Sequence, residues 1–383
     1  MRRPMHRHAA GFSLVELMVG SVLGLLLLGA VVIVYLSTKR TFAAQDEDTG
    51  VLEGGRYAMG MITRDLRMAG LSGCASRNMP GSTVPVRNFL NSQAYPYAFA
   101  APVAGFEGGG TAPAQTFALA ASNPVPGGTY APALPAQLAA SAIAGSDAVM
   151  IAGSEPGTRR LVDPFTSGAS IHLEGGGDFV AGDILWVTDC SQATVFQATN
   201  VNAGQTTITG SNAGTFVPGN NGPISSPGPV ANFRHGALVS RARSVFYFVG
   251  RPNLGATGDS CNSGGSGPPA LIRASLGPSA ASANARVMRC DELVRGVESM
   301  QVLYGVDADG DFDIDAYRTA STVADMGSVR ALRVALLVRA EGSSLPENDS
   351  ATYDLLGTTI DPVDDRLQRR VFVSTISLRN RLP

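Results

Sequence analysis

The stretch that decides the fold is Gly11-Phe12-Ser13-Leu14-Val15-Glu16-Leu17, followed by an uncharged, mostly apolar run over residues 17–36. As a helix rising 1.5 Å per residue, the run is about 30 Å long, the thickness of a bilayer core. Ahead of it lies a short basic leader with Arg2, Arg3 and Arg7. The leader is expected to stay in the cytoplasm and the rest of the chain to face the periplasm. The run is too long for an ordinary signal peptide, and Tyr35-Leu36-Ser37-Thr38 offers no small-x-small cleavage site. A plain anchor leaves Glu16 unexplained. A carboxylate costs about 2.5–3.5 kcal/mol at the centre of a spanning helix. A cut between Gly11 and Phe12 creates an α-amine four residues before Glu16, on the same helix face. That amine can neutralise Glu16 of its own chain or of a neighbour. Headgroup solvation of Glu16 is the plainer alternative.

Gly11-Phe12-Ser13-Leu14-Val15-Glu16-Leu17-Met18-Val19 resembles the class III signal of type IV prepilins and type II secretion pseudopilins. The resemblance implies cleavage after Gly11, N-methylation of Phe12 and a role for Glu16 in methylation and docking. It also implies a prepilin peptidase acting on the chain, with S-adenosylmethionine as methyl donor. Further blocks resemble PilW-type minor pilins. They are Arg67-Met68-Ala69-Gly70, Cys74, Thr188-Asp189-Cys190-Ser191, the run from Glu292 to Gln301, Leu303-Tyr304-Gly305-Val306-Asp307, and the run from Arg370 to Arg381. The resemblance spans both ends and the middle but not residues 79–146. It implies a subunit that helps initiate pilus assembly and joins the fibre through its N-terminal helix. Its partners would be other minor pilins, the major pilin and the inner membrane, and its destination the pilus at the cell surface. A pseudopilin of a secretion system is the alternative.

The expected organisation is a leader (1–11), a membrane and assembly helix (12–37), an amphipathic second half of the spine (38–73) and a β-rich head (74–383), an α+β fold. Met59, Ile62, Leu66 and Ala69 recur at helical spacing, with Arg56, Arg64, Asp65 and Arg67 off that stripe. The polar residues 45–50 interrupt the pattern, and Gly50, Gly54 and Gly55 are expected to loosen the helix. Gly70 and Gly73 end it. Nine prolines across residues 79–146 argue for short strands and loops. Strands are expected over 147–152, 183–188, 194–200, 205–209, 238–249, 271–274, 300–306, 329–340 and 371–378, and a short helix over 291–297. The alternation of Leu332, Val334, Leu336 and Val338 suits a half-buried strand.

Cys74, Cys190, Cys261 and Cys290 form no C-x-x-C pair, so zinc is disfavoured. An even count on the exported side suits disulfides, and three full pairings are open, besides free thiols. Cys74–Cys190 with Cys261–Cys290 is favoured, because the second closes a short Gly-rich loop. Asp307, Asp309, Asp311, Asp313 and Asp315 stand at alternate positions, on one side of an extended chain. Such a run could hold Ca²⁺, but Gly305 and Ala316 occupy the first and closing ligand positions of an EF-hand register. A solvated acidic turn between strands is the favoured reading, and no other cofactor is expected.

A net charge of −2 offers no footprint for nucleic acid. The single lysine, Lys39, excludes a Gly-Lys-Ser/Thr phosphate loop. Past the leader only His172 and His235 remain, with no Gly-x-Ser-x-Gly elbow and no His-Glu-x-x-His. A structural subunit is expected, with a tethered enzyme or binding module as the remote alternative.

Overall fold

The computed structural model describes residues 13–73, 86–162, 170–175, 178–204, 206–212, 214–222, 233–251, 261, 267–343 and 345–381. A single helix, Leu14–Arg67, runs 54 residues, about 80 Å. Ser13 caps it through a reciprocal box with Glu16. The Ser13 Oγ accepts the Glu16 N–H at 3.2 Å, and the Glu16 carboxylate accepts the Ser13 N–H at 3.1 Å. The expected interruption at residues 45–50 is absent, and Gly50, Gly54 and Gly55 all lie inside the helix. Asp48 explains the continuity: its carboxylate bonds Arg370 at 2.7 and 2.9 Å and Gln368 at 2.8 Å, tying this turn to the head. Gly70, with φ +70°, turns the chain away, and its N–H bonds Ala152 O.

The helix rests on a four-stranded antiparallel sheet in the order Ala316–Arg318, Val297–Val306, Val329–Ser343, Leu367–Ser377. Val51, Ala58, Ile62 and Leu66 share one core with Val334, Leu336 and Val338. Gly55 is what lets the surfaces meet. A Cβ there would lie 2.2–2.6 Å from three carbons of the Phe372 ring. The strand Val329–Ser343 is not half-buried as its alternation suggested. Ala335 and Leu337, on its other face, pack against Leu119, Leu355 and Ile360. The strands Thr116–Ala118, Tyr353–Leu355 and Thr358–Asp361 form the small sheet to which that second cover belongs.

The rest of the head is built on a ten-stranded sheet, with a further three-stranded sheet in the order Asn200–Val201, Thr207–Thr209, Ser170–His172. The hub of the ten-stranded sheet is Leu238–Gly250. The first half of that strand pairs with Ile184–Thr188, and the second with Ala148–Ser154 and Ala270–Pro278. Residues 291–297 are not helical. The strand Arg286–Arg295 turns at Gly296 (φ +80°) into Val297–Val306. Within the Pro-rich region lies a fully buried strand, Val103–Gly108, that its Gly- and Ala-rich composition concealed. Cys261 is bonded to Cys290, and Cys190 is also disulfide-bonded; Cys74 lies outside the described residues.

Candidate assembly interface

Among the described residues nothing covers the N-terminal part of the helix. Leu14, Leu17, Leu25, Leu27 and Ile33 are each about two-thirds exposed or more, and the helix is long and apolar enough to cross a membrane. Exposed leucines in such a row are a large cost in water and a fit to lipid or to other helices. Glu16 sits near its start, exposed and engaged with Ser13. Gly11 and Phe12 lie outside the described residues.

From Val51 onward the same helix is locked to the head. The strongest lock is at Asp65, which the sequence pattern placed off the buried stripe and the structure buries. The strand register builds its socket. Arg243 and Tyr247 lie four residues apart on one face of the hub strand, and Arg273 is the cross-strand partner of Tyr247. Asp65 Oδ1 pairs with Arg243 Nη2 at 2.5 Å. Its Oδ2 accepts from Tyr247 Oη at 2.7 Å and from Arg273 Nε at 3.0 Å. Burial alone would raise the Asp65 pKa. The Arg243 charge, with the bonds from Arg243, Tyr247 and Arg273, outweighs burial and holds it below the ordinary carboxylate value. A signal was present. Asp65 stands three residues after Ile62 and four before Ala69, inside the apolar stripe, where a carboxylate needs a partner.

Beside this lock an open groove of about 1200 Å³ follows the helix, lined by Arg56, Met59, Arg64, Met68, Arg243 and Phe372. The C-terminal end also reaches the spine: Asn380 Nδ2 bonds Ala69 O at 3.1 Å.

The acidic run lies apart, between the paired strands Val297–Val306 and Ala316–Arg318. It is not extended, because Gly310 and Phe312 have positive φ. The five aspartates therefore do not share one side. Asp307, Asp309 and Asp315 bring one oxygen each within 4.8 Å of one another, and Asp311 and Asp313 do not join them. Asp307 is buried and already engaged. Burial raises its pKa, but Arg330, at 2.8 Å, and the N–H groups of Gly310 and Phe312 hold it below the ordinary value. His172 is exposed, with Nδ1 3.1 Å from Thr207 Oγ1 rather than in a site with Glu174.

A model of the prokaryotic N-terminal methylation motif matches residues 6–32, and a model of the type IV pilus-assembly protein W, PilW, matches residues 256–380. No curated protein and no solved structure matches the chain. The first match covers the leader and the exposed start of the helix. The second covers the sheet on which the helix rests, with Cys261, Cys290 and the Asp307 loop. At its two ends, therefore, the chain is similar to type IV pilus-related, pilin-like proteins, with the methylation motif at the start of the helix and a PilW-like region in the head.

Proposed function

We propose that the chain is a minor type IV pilin, a structural and assembly subunit rather than a catalyst. Residues 1–11 are its leader, removed by a prepilin peptidase between Gly11 and Phe12, with Phe12 then N-methylated. Residues 12–37 hold it in the inner membrane as a single pass and later pack into the pilus. Residues 38–73 are the part of the spine that carries the head, residues 74–383, in the periplasm and afterwards on the fibre. Glu16 docks against an N-terminal amine, its own or that of a neighbouring minor or major pilin. One observation carries the reading. A single helix is bare over its apolar first half and bound to a head over its second. This is the form of a subunit whose missing contacts come from other subunits.

The same anchor would serve a type II secretion pseudopilin, the second reading, which the shared leader motif supports. A deletion strain separates the two. Loss of surface pili and twitching, restored by the intact gene and not by a Glu16→Ala variant, is expected. Normal piliation with failed protein export would instead select the pseudopilin.

A further inference from the structure

The four-stranded sheet under the helix ends at the strand Leu367–Ser377, and no strand pairs with its outer edge among the described residues. Leu378 N–H donates to Arg330 O, which sets the phase of the ladder. Phe372, Ser374 and Ile376 therefore turn their backbone groups towards Val329–Ser343. Val371, Val373, Thr375 and Ser377 turn theirs outward. None of those outward N–H and C=O groups has a partner among the described residues. The side chains of Val373, Thr375 and Ser377 are exposed as well.

An open edge is a template for another strand, and proteins ordinarily blunt it with charge, proline or a bulge. The strand Arg286–Arg295 also has a free edge, and it is blunted. It carries Arg286, Arg289, Asp291, Glu292 and Arg295, and its register shifts opposite Leu271 and Ile272. The edge at Val371-Phe372-Val373-Ser374-Thr375-Ile376-Ser377 has none of these devices. It holds no charge and no proline, and its pairing with Val329–Ser343 is regular from Arg369 to Ser377. Its β-branched and aromatic residues are good strand formers.

The surroundings of this edge favour one kind of strand. Phe372 and Val373 line the open groove that follows the helix, and Arg56, Arg64 and Arg67 line it too. These three arginines are exposed, and none has an ion-pair partner among the described residues. With Arg243 and Arg273 the groove carries five arginines against two acids, Asp65 and Glu155, in a chain whose net charge is −2. Phe372 faces the helix at Gly55. In a strand added at the edge, side chains on the face of Phe372 therefore point into this basic groove. The alternate ones lie beside Val373 and Thr375.

We propose that the outer edge of Leu367–Ser377 is a strand-addition site for an extended acidic segment of another protein, one in which carboxylates alternate with β-branched residues. Backbone bonds at Val373 and Thr375 supply the affinity, and the groove arginines select the acidic partner. Because Arg56, Arg64 and Arg67 are exposed, the binding weakens as salt rises.

Fluorescence anisotropy with short labelled peptides tests the site on the detergent-solubilised full chain. A peptide of alternating valine and glutamate should bind, and its valine–lysine counterpart should not. Val373→Pro and Thr375→Pro should each weaken binding about tenfold. Each removes one outward N–H and spares the ladder to Val329–Ser343, a position at which an edge strand tolerates proline. Arg56→Glu combined with Arg64→Glu should reverse the preference in favour of the lysine peptide. Both arginines lie on the exposed face of the helix, so this variant carries the test even if a proline variant unfolds. Equal binding of the two peptides, or binding of neither, overturns the proposal. So does unchanged affinity in a proline variant that melts as the wild type does. A concentration-dependent dimer of the chain that Val373→Pro abolishes overturns it too, because a second copy then occupies the edge. All of these results leave the proposed function standing, since a minor pilin and a pseudopilin could equally carry such an edge.

Discussion

Asp65→Ala is the most informative change in the head. The substitution leaves the Arg243 and Arg273 guanidinium groups without their shared carboxylate, and Tyr247 with only its longer bond to Met61 O at 3.3 Å. Removing one partner of a buried ion pair costs about 3–5 kcal/mol. Here the arginine side chains keep 17% and 21% of their exposure to the groove, and Asp65 only 6%. Water can therefore solvate part of the residual charge, and about 2–4 kcal/mol is the expected loss. In a chain of 383 residues that lowers Tm by about 2–5 °C. Thermal unfolding of the detergent-solubilised full chain, followed by near-ultraviolet circular dichroism, measures it. Asp48→Ala is the comparison. Its pairing with Arg370 is much more exposed, so it should cost less than about 1 kcal/mol. The folded-state pKa of Asp65 is depressed. Its contribution is therefore complete above the unfolded value near 4 and is lost as pH falls through the folded one. The gap between wild type and Asp65→Asn should accordingly close in acid. Equal losses for Asp65→Ala and Asp48→Ala, or a gap that widens as pH falls, would refute the reasoning.

Further outcomes follow from the same contacts. Gly55→Ala should destabilise by about 1–3 kcal/mol through collision with Phe372, although alanine is the better helix former by about 1 kcal/mol. Adding Phe372→Leu should recover most of the loss, as equilibrium denaturation would show. Burial, helped by Glu107 and opposed by the Gly108 and Val302 N–H groups, pushes Asp147 up to about 8. With its folded pKa raised, stability should fall as pH rises from near 4 towards 8, and Asp147→Asn should flatten that slope in pH-dependent melts. In the acidic loop, Arg330, Gly310 and Phe312 already occupy Asp307. Calorimetric titration should therefore give a Ca²⁺ Kd above about 1 mM, and micromolar binding abolished by Asp309→Ala would contradict this.

What local sequence could reveal was mostly what local physics determines. The apolar run and Ser13–Glu16 box specify the bare half of the helix without help from the head. The period-two pattern of Leu332 to Val338 likewise marks a strand, and the mixed helix-and-sheet class follows. Three features depended on residues far away. The helix passes through residues 45–50 because Asp48 meets Arg370, more than three hundred positions later. Asp65 is buried because the register of two strands brings Arg243, Tyr247 and Arg273 to one place. The segment from Asp291 to Arg295 is extended because Ala270–Pro278 pairs with it, whatever its Leu-Val spacing suggests. The acidic run misled for a different reason. Alternation puts side chains on one side only while the chain stays extended, and Gly310 and Phe312 bend it.

The central claim concerns the chain's own N-terminus. Intact-mass and N-terminal fragment analysis of the protein purified from membranes or sheared pili reads it directly. The account predicts a chain that begins at Phe12 and carries one methyl group on its α-amine. A mature protein that still begins at Met1, or one cut elsewhere, would contradict it.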